Sequence, residues 1–131
     1  MTDARYPVSV KAALRCGELW VLLRNERGEW ELPGGRIDIA DESLPAVVYR
    51  ECKEELGIEV DVGDVVDAHL FEVVPGRTVT IICFAATGPA DADLIVSAEH
   101  SAVGLFTTGE LAETKLASGY RRALRKAANL R

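Results

Sequence analysis

The stretch Arg50-Glu51-Cys52-Lys53-Glu54-Glu55-Leu56-Gly57-Ile58 decides how this chain is read. At about 100° per residue on a helix, Leu44, Val47 and Val48 fall within about 60° of Glu51, and Glu54 and Glu55 fall on the same stripe. Lys53 points the opposite way. One face of a helix is therefore apolar for two turns and then acidic. Ordinary solvated charges stand opposite an apolar stripe, not on its extension. Carboxylates at spacing i, i+3 and i+4 are neighbours within about 5–6 Å and repel one another, so something must offset the repulsion. Mg²⁺ takes hard oxygen ligands and keeps waters while also binding substrate phosphates. The spacing predicts a metal site on Glu51, Glu54 and Glu55.

The helix is expected over residues 43–56, with Ser43 as N-cap, Pro45 tolerated in the first turn, Asp41 and Glu42 at its positive end and Gly57 as its stop. Upstream, residues 8–14 and 19–23 read as short strands, and Asn25-Glu26-Arg27-Gly28 has the composition of a hairpin turn. Pro33-Gly34-Gly35 can continue neither strand nor helix, so a loop is expected to begin there. Downstream, residues 58–74 and 78–86 form a long hairpin around Pro75-Gly76. A short strand over 103–106 and helices over 110–116 and 120–130 complete a mixed α/β order without repeats.

The 131 residues suit one domain over 1–131 with a real core. Apolar residues make up 48% and charged residues 27%, and the longest apolar run, 81–86, is too short to cross a bilayer. All 21 acids precede residue 121, while the last eleven residues hold Arg121, Arg122, Arg125, Lys126 and Arg131. The acidic body argues against a broad grip on nucleic acid, and the basic tail is expected to pair with it. Cys16, Cys52 and Cys83 are odd in number and far apart, which argues against a disulfide framework and for a reducing, cytoplasmic setting. No export signal is visible at the N-terminus.

The quoted stretch resembles the signature of the Nudix hydrolase family: a glycine, five residues, a glutamate, seven residues, then Arg-Glu-apolar-x-Glu-Glu-x-Gly-apolar. Residues 50–58 match it completely, with Cys52 at the apolar position, and seven residues separate Glu42 from Arg50. The box spans about residues 35–58. One departure is that six residues, not five, separate Gly35 from Glu42. The resemblance extends over about residues 8–116, since Leu32-Pro33-Gly34-Gly35 and Glu99-His100-Ser101 also look like family segments. Leu105 stands where tryptophan is common.

The resemblance implies a Nudix fold, a mixed β-sheet sandwiched between helices. It also implies hydrolysis of a nucleoside diphosphate linked to another group, using Mg²⁺ or Mn²⁺ and an attacking water. Glu51, Glu54 and Glu55 would be metal ligands, with the Gly35 backbone close to the metal. Arg50 and Glu42 would brace the loop as an ion pair, Arg50 alternatively contacting phosphate or solvent. Glu99 would add a ligand or general base, and His100 is a weaker candidate. Arg36 and Arg24 are candidate phosphate contacts, each equally readable as a solvated charge. Trp20, Trp30 and Phe71 could stack on a base or fill the core. The expected substrate is a (d)NTP, cleaved to a nucleotide monophosphate and pyrophosphate by a monomer or homodimer. ADP-ribose or a nucleotide sugar is the alternative, with Pro75 as a weak pointer. A catalytically silent nucleotide sensor is the reading from another class, and the intact box argues against it.

Overall fold

Strand β1 (Val8–Cys16) is buried almost throughout, on both of its faces, in a computed structural model that describes residues 1–130. It runs parallel to β6 (Arg77–Gly88) on one side. On the other side its start pairs antiparallel with β4 (Gly34–Arg36), and its end with β2 (Leu19–Arg24). The β2 strand also carries β3 (Trp30–Glu31) and β7 (Ala102–Phe106). At the far edge, β5 (Asp61–Val74) returns antiparallel to β6 as the expected long hairpin, with Gly76 at φ +83° in the turn. Seven strands thus form one mixed sheet.

Alternation along the strands divides two cores. Val10, Ala12 and Leu14 of β1, with Val21 and Leu23 of β2, pack against Val47, Val48, Cys52 and Leu56 of α1 (Leu44–Leu56). Ala13, Trp20, Leu22, Ile81 and Cys83 point the other way, onto α3 (Ser118–Ala128) and Leu111 of α2 (Thr108–Glu113). Helices on both faces of a mixed sheet are the sandwich expected from the sequence. The basic tail is also paired: Arg122 and Lys126 both reach the buried Asp67 on β5, at 2.8 and 2.9 Å, while Arg131 lies outside the described residues. Among the described residues, all three cysteines are buried and free, and no helix is long and apolar enough to cross a membrane.

One local expectation fails. The loop does not begin at Gly34, because residues 34–36 form β4 against Ser9, Val10 and Lys11. Gly34 sits at φ +139°, and a Cβ there would lie 2.1 Å from the Val10 carbonyl oxygen. A side chain would forbid the pairing that the glycine allows.

Candidate functional site

Helix α1 is fixed at both ends. Ser43 Oγ accepts from the Ala46 N–H at 3.2 Å, and Gly57 closes the helix at φ +72°, its N–H donating to the Lys53 carbonyl. With the apolar stripe buried against β1 and β2, the acidic extension of that stripe comes to lie beside β4. Glu55 is buried, and its Oε1 accepts from the Gly34 N–H at 2.8 Å. Burial pushes its carboxyl up to about 8; the Gly34 N–H and Lys11 pull it down, and Glu51 and Glu31 add to the rise. Glu51 is raised too, chiefly by burial, while Arg50 opposes the shift and Glu54 and Glu99 reinforce it. Glu54 projects into solvent at 58% exposure.

Arg50 binds these parts together. One of its terminal nitrogens donates to Glu51 at 2.9 Å and Glu54 at 3.2 Å, and the other donates to the Arg36 carbonyl at 3.1 Å. Its main partner corrects the sequence expectation: the guanidinium fork closes on both oxygens of Asp41, at 2.9 and 2.8 Å, while Glu42 is exposed. Five residues separate Gly35 from Asp41, so the signature spacing counted forward from the glycine points to it. The extra residue lies between this acid and Arg50. Asp41 is also locked by its own turn, accepting from the Asp38 N–H at 2.8 Å. The Arg50 fork holds its carboxyl well below the usual range, at about 2.

The donor chemistry of this face fits a hard divalent cation. Three carboxylates share one helix end, two of them strained by burial without a full countercharge, which is what a bound cation relieves. Gly35 keeps the approach open, since a Cβ there would lie 2.7 Å from Glu51 Oε1. As the side chains stand, they are drawn inward onto Arg50 and the Gly34 N–H, and among the described residues no three acidic, histidine or cysteine groups converge on one point.

Beside β4 opens a cavity of about 1000 Å³, whose lining holds cations (Lys11, Arg27, Arg36, Lys115), aromatic rings (Trp30, Phe71, Phe106, Tyr120) and three carboxylates (Glu29, Glu31, Glu72). Arg36 joins the two regions: its carbonyl receives Arg50, its Nε donates to Ser9 at 3.1 Å, and its side chain lines the cavity. The remaining expectations divide. Glu99 is exposed, close enough to Glu51 to shift it. The His100 side chain is only 6% exposed, with Nε2 2.9 Å from Glu31 and Nδ1 3.7 Å from Glu55. Trp30 and Phe71 line the cavity, whereas Trp20 is core, its Nε1–H donating to Thr108 at 3.3 Å. Arg24 is not brought to the cavity; its Nε donates to the Gly28 carbonyl at 3.4 Å in the β2–β3 turn. Besides Asp41, the sequence reading missed Lys11, a charge inside β1, and Glu31, which ends the two-residue β3.

Known proteins resemble this chain in sequence and fold. The CTP pyrophosphohydrolase of Escherichia coli (strain K12) is 45% identical over 49 residues, covering 37% of this chain and 36% of that protein. The chain spans less than two thirds of the length of each curated relative it matches. Among solved structures, the MutT protein from Methanosarcina mazei Go1 superposes with a TM-score of 0.80 at 29% identity, covering 99% of this chain and 98% of that one. An ADP-ribose pyrophosphatase from Streptococcus suis 89-1591 gives 0.72 at 26% identity, covering 96% and 92%. The NUDIX domain pattern itself matches residues 5–127, and with the acid-bearing helix braced over β4 in the same fold, the chain belongs to the Nudix family.

Proposed function

We propose that this protein is a divalent-metal-dependent pyrophosphohydrolase that cleaves a nucleoside diphosphate-linked substrate, most simply a (d)NTP to a nucleotide monophosphate and pyrophosphate. The observation that carries this reading is continuity: β4 joins the acidic face of α1 to a cavity lined by cations and aromatic rings. Polyphosphate chemistry needs both halves, a carboxylate face at the reacting phosphorus and a partly apolar pocket for the nucleoside. Glu51, Glu54 and Glu55, with Glu99 and the Gly35 carbonyl, are the residues that would hold Mg²⁺ or Mn²⁺. When bound, the metal would neutralise phosphate charge and lower the pKa of a coordinated water.

The chain's own residues do the rest. Arg50 keeps β4 and the loop after it in register with α1 through Asp41 and the Arg36 carbonyl, so that the carboxylates meet the substrate on a fixed frame. Arg36 offers its guanidinium to phosphate, and Trp30 and Phe71 supply faces for the base. Similarity to the CTP pyrophosphohydrolase supports the triphosphate reading. Similarity to the ADP-ribose pyrophosphatase favours a second one, in which the leaving group is a sugar phosphate.

The test is turnover of NTPs, dNTPs, ADP-ribose and nucleotide sugars with Mg²⁺, the products being identified by ³¹P NMR. Glu54→Gln, which removes a charged ligand from an exposed position, is expected to lower kcat by about 100-fold or more, beyond the usual effect of outer-shell changes. Unchanged turnover in that variant would remove Glu54 from the metal set. Tight nucleotide binding by the wild type without any turnover would establish the silent sensor instead. Glu99→Gln at wild-type activity would take Glu99 out of the site.

A further inference from the structure

Lys11 is a cation that the metal-binding face does not use. It interrupts the apolar run of β1, is only 7% exposed, and lines the cavity. Among the described residues its ammonium has no hydrogen-bond or ion-pair partner, and Glu55 feels it only at longer range. Its Nζ is not closed off inside the protein but opens onto the cavity, so the charge is available to an anion that arrives from outside. Glu55, the carboxylate that Lys11 influences at longer range, already takes the Gly34 N–H through Oε1. The position along the cavity indicates which anion. The Lys11 stem lies against Gly34, with Cδ 3.0 Å from where a Cβ would stand, and Lys11 pairs with Gly34 in β4 and with Cys83 in β6. It therefore sits at the seam between the acidic end of the site at β4 and the aromatic end at Phe71 and Tyr120. In a nucleotide laid along that path, the group at the seam is the phosphate that the nucleoside itself carries.

We propose that Lys11 is the residue that binds the nucleoside-proximal phosphate, which fixes the nucleotide lengthwise in the cavity; this rests on the pyrophosphohydrolase reading for the direction in which the substrate lies. Lys11 thereby selects 5′-phosphorylated ligands over free nucleosides, whatever group is linked beyond the phosphate. A lysine suits the place because a compact point charge on a long stem follows one phosphate oxygen, without the planar demands of an arginine fork.

The test measures binding, not turnover. Quenching of tryptophan fluorescence, with Trp30 in the cavity wall, reports the affinities of 5′-AMP, 5′-CMP, adenosine and cytidine in EDTA. In the wild type each tighter-binding monophosphate is expected to exceed its nucleoside by at least about tenfold, the size of one charge-assisted hydrogen bond. Lys11→Met, which keeps the stem, should weaken the monophosphate by about ten- to a hundredfold while moving the nucleoside less than about twofold. Lys11→Arg should recover part of the difference. Equal losses for monophosphate and nucleoside would make Lys11 a base or shape contact and overturn the proposal, as would wild-type affinities that do not distinguish the two. The wild-type ratio carries the test even if Lys11→Met folds poorly. If the ratio and its loss are found but no substrate is hydrolysed, the phosphate site stands and the enzymatic reading fails alone.

Discussion

Asp41 and Glu42 are neighbours with the same charge, yet only Asp41 closes on Arg50, because its turn with Asp38 already points its two oxygens at the fork. The loop brace is thus a property of local geometry, which residue type alone does not reveal. Asp41→Asn is expected to loosen β4 against α1 and lower kcat/KM by about ten- to a hundredfold, as for other groups that orient ligands. Glu42→Gln should stay within about twofold of wild type, and steady-state kinetics on the two variants separates them; the reverse pattern would restore the spacing-based assignment. Glu55 makes a second prediction at this scale. Its folded pKa of about 8 lies above an unfolded value of about 4.3. Between those values the folded state keeps a proton that the unfolded chain has lost, so stability of the metal-free protein falls as pH rises through that window. Urea midpoints in EDTA should decline from about pH 5 to pH 8, and Glu55→Gln should flatten the decline. A wild-type profile that is already flat would sink this account.

Element α1 combines features legible in sequence with one that is not. Its cap, its proline at the first turn and its glycine stop all act within a few residues, and each is found where sequence chemistry places it. Ser43→Ala removes the acceptor for the Ala46 N–H and should cost about 1 kcal/mol, read as a lowered urea midpoint at unchanged m-value. An unchanged midpoint would mean that packing of the apolar stripe, not the cap, sets the start of the helix. The short strand β4 behaves differently. Pro33-Gly34-Gly35 has loop composition, and it becomes a strand only because β1 offers an edge that a glycine backbone can approach. Nothing within ten residues of Gly34 signals that partner.

Across the whole molecule, Asp67 ties helix α3 to the edge of the sheet. It is buried on β5 and receives Arg122, Lys126 and His69, and these bonds hold its carboxyl far below the usual range, with Arg122 contributing most. A carboxyl lowered in this way stabilises the fold above its unfolded pKa of about 3.9, and that contribution is lost only as pH falls well below it. Asp67→Asn is expected to lower stability by about 2 kcal/mol, the scale of hydrogen bonds to a charged group, by freeing α3 from the sheet edge. Because Tyr120 and Leu116 line the cavity from this side, KM should rise while kcat changes little; a stability loss without a change in KM would confine Asp67 to a structural role. The sequence by itself determined the acidic helix, its ends, the longer strands and helices in their order, and the family. Those signals are periodicities and spacings within a single segment, where backbone geometry converts sequence distance directly into direction. Only the tertiary structure decided that Asp41 holds Arg50, that β4 is a strand, that Arg24 stands away from the cavity, and that Lys11 faces into it. Each of those depends on segments far apart in sequence meeting across the sheet, and contact at that range is set by packing of the whole chain.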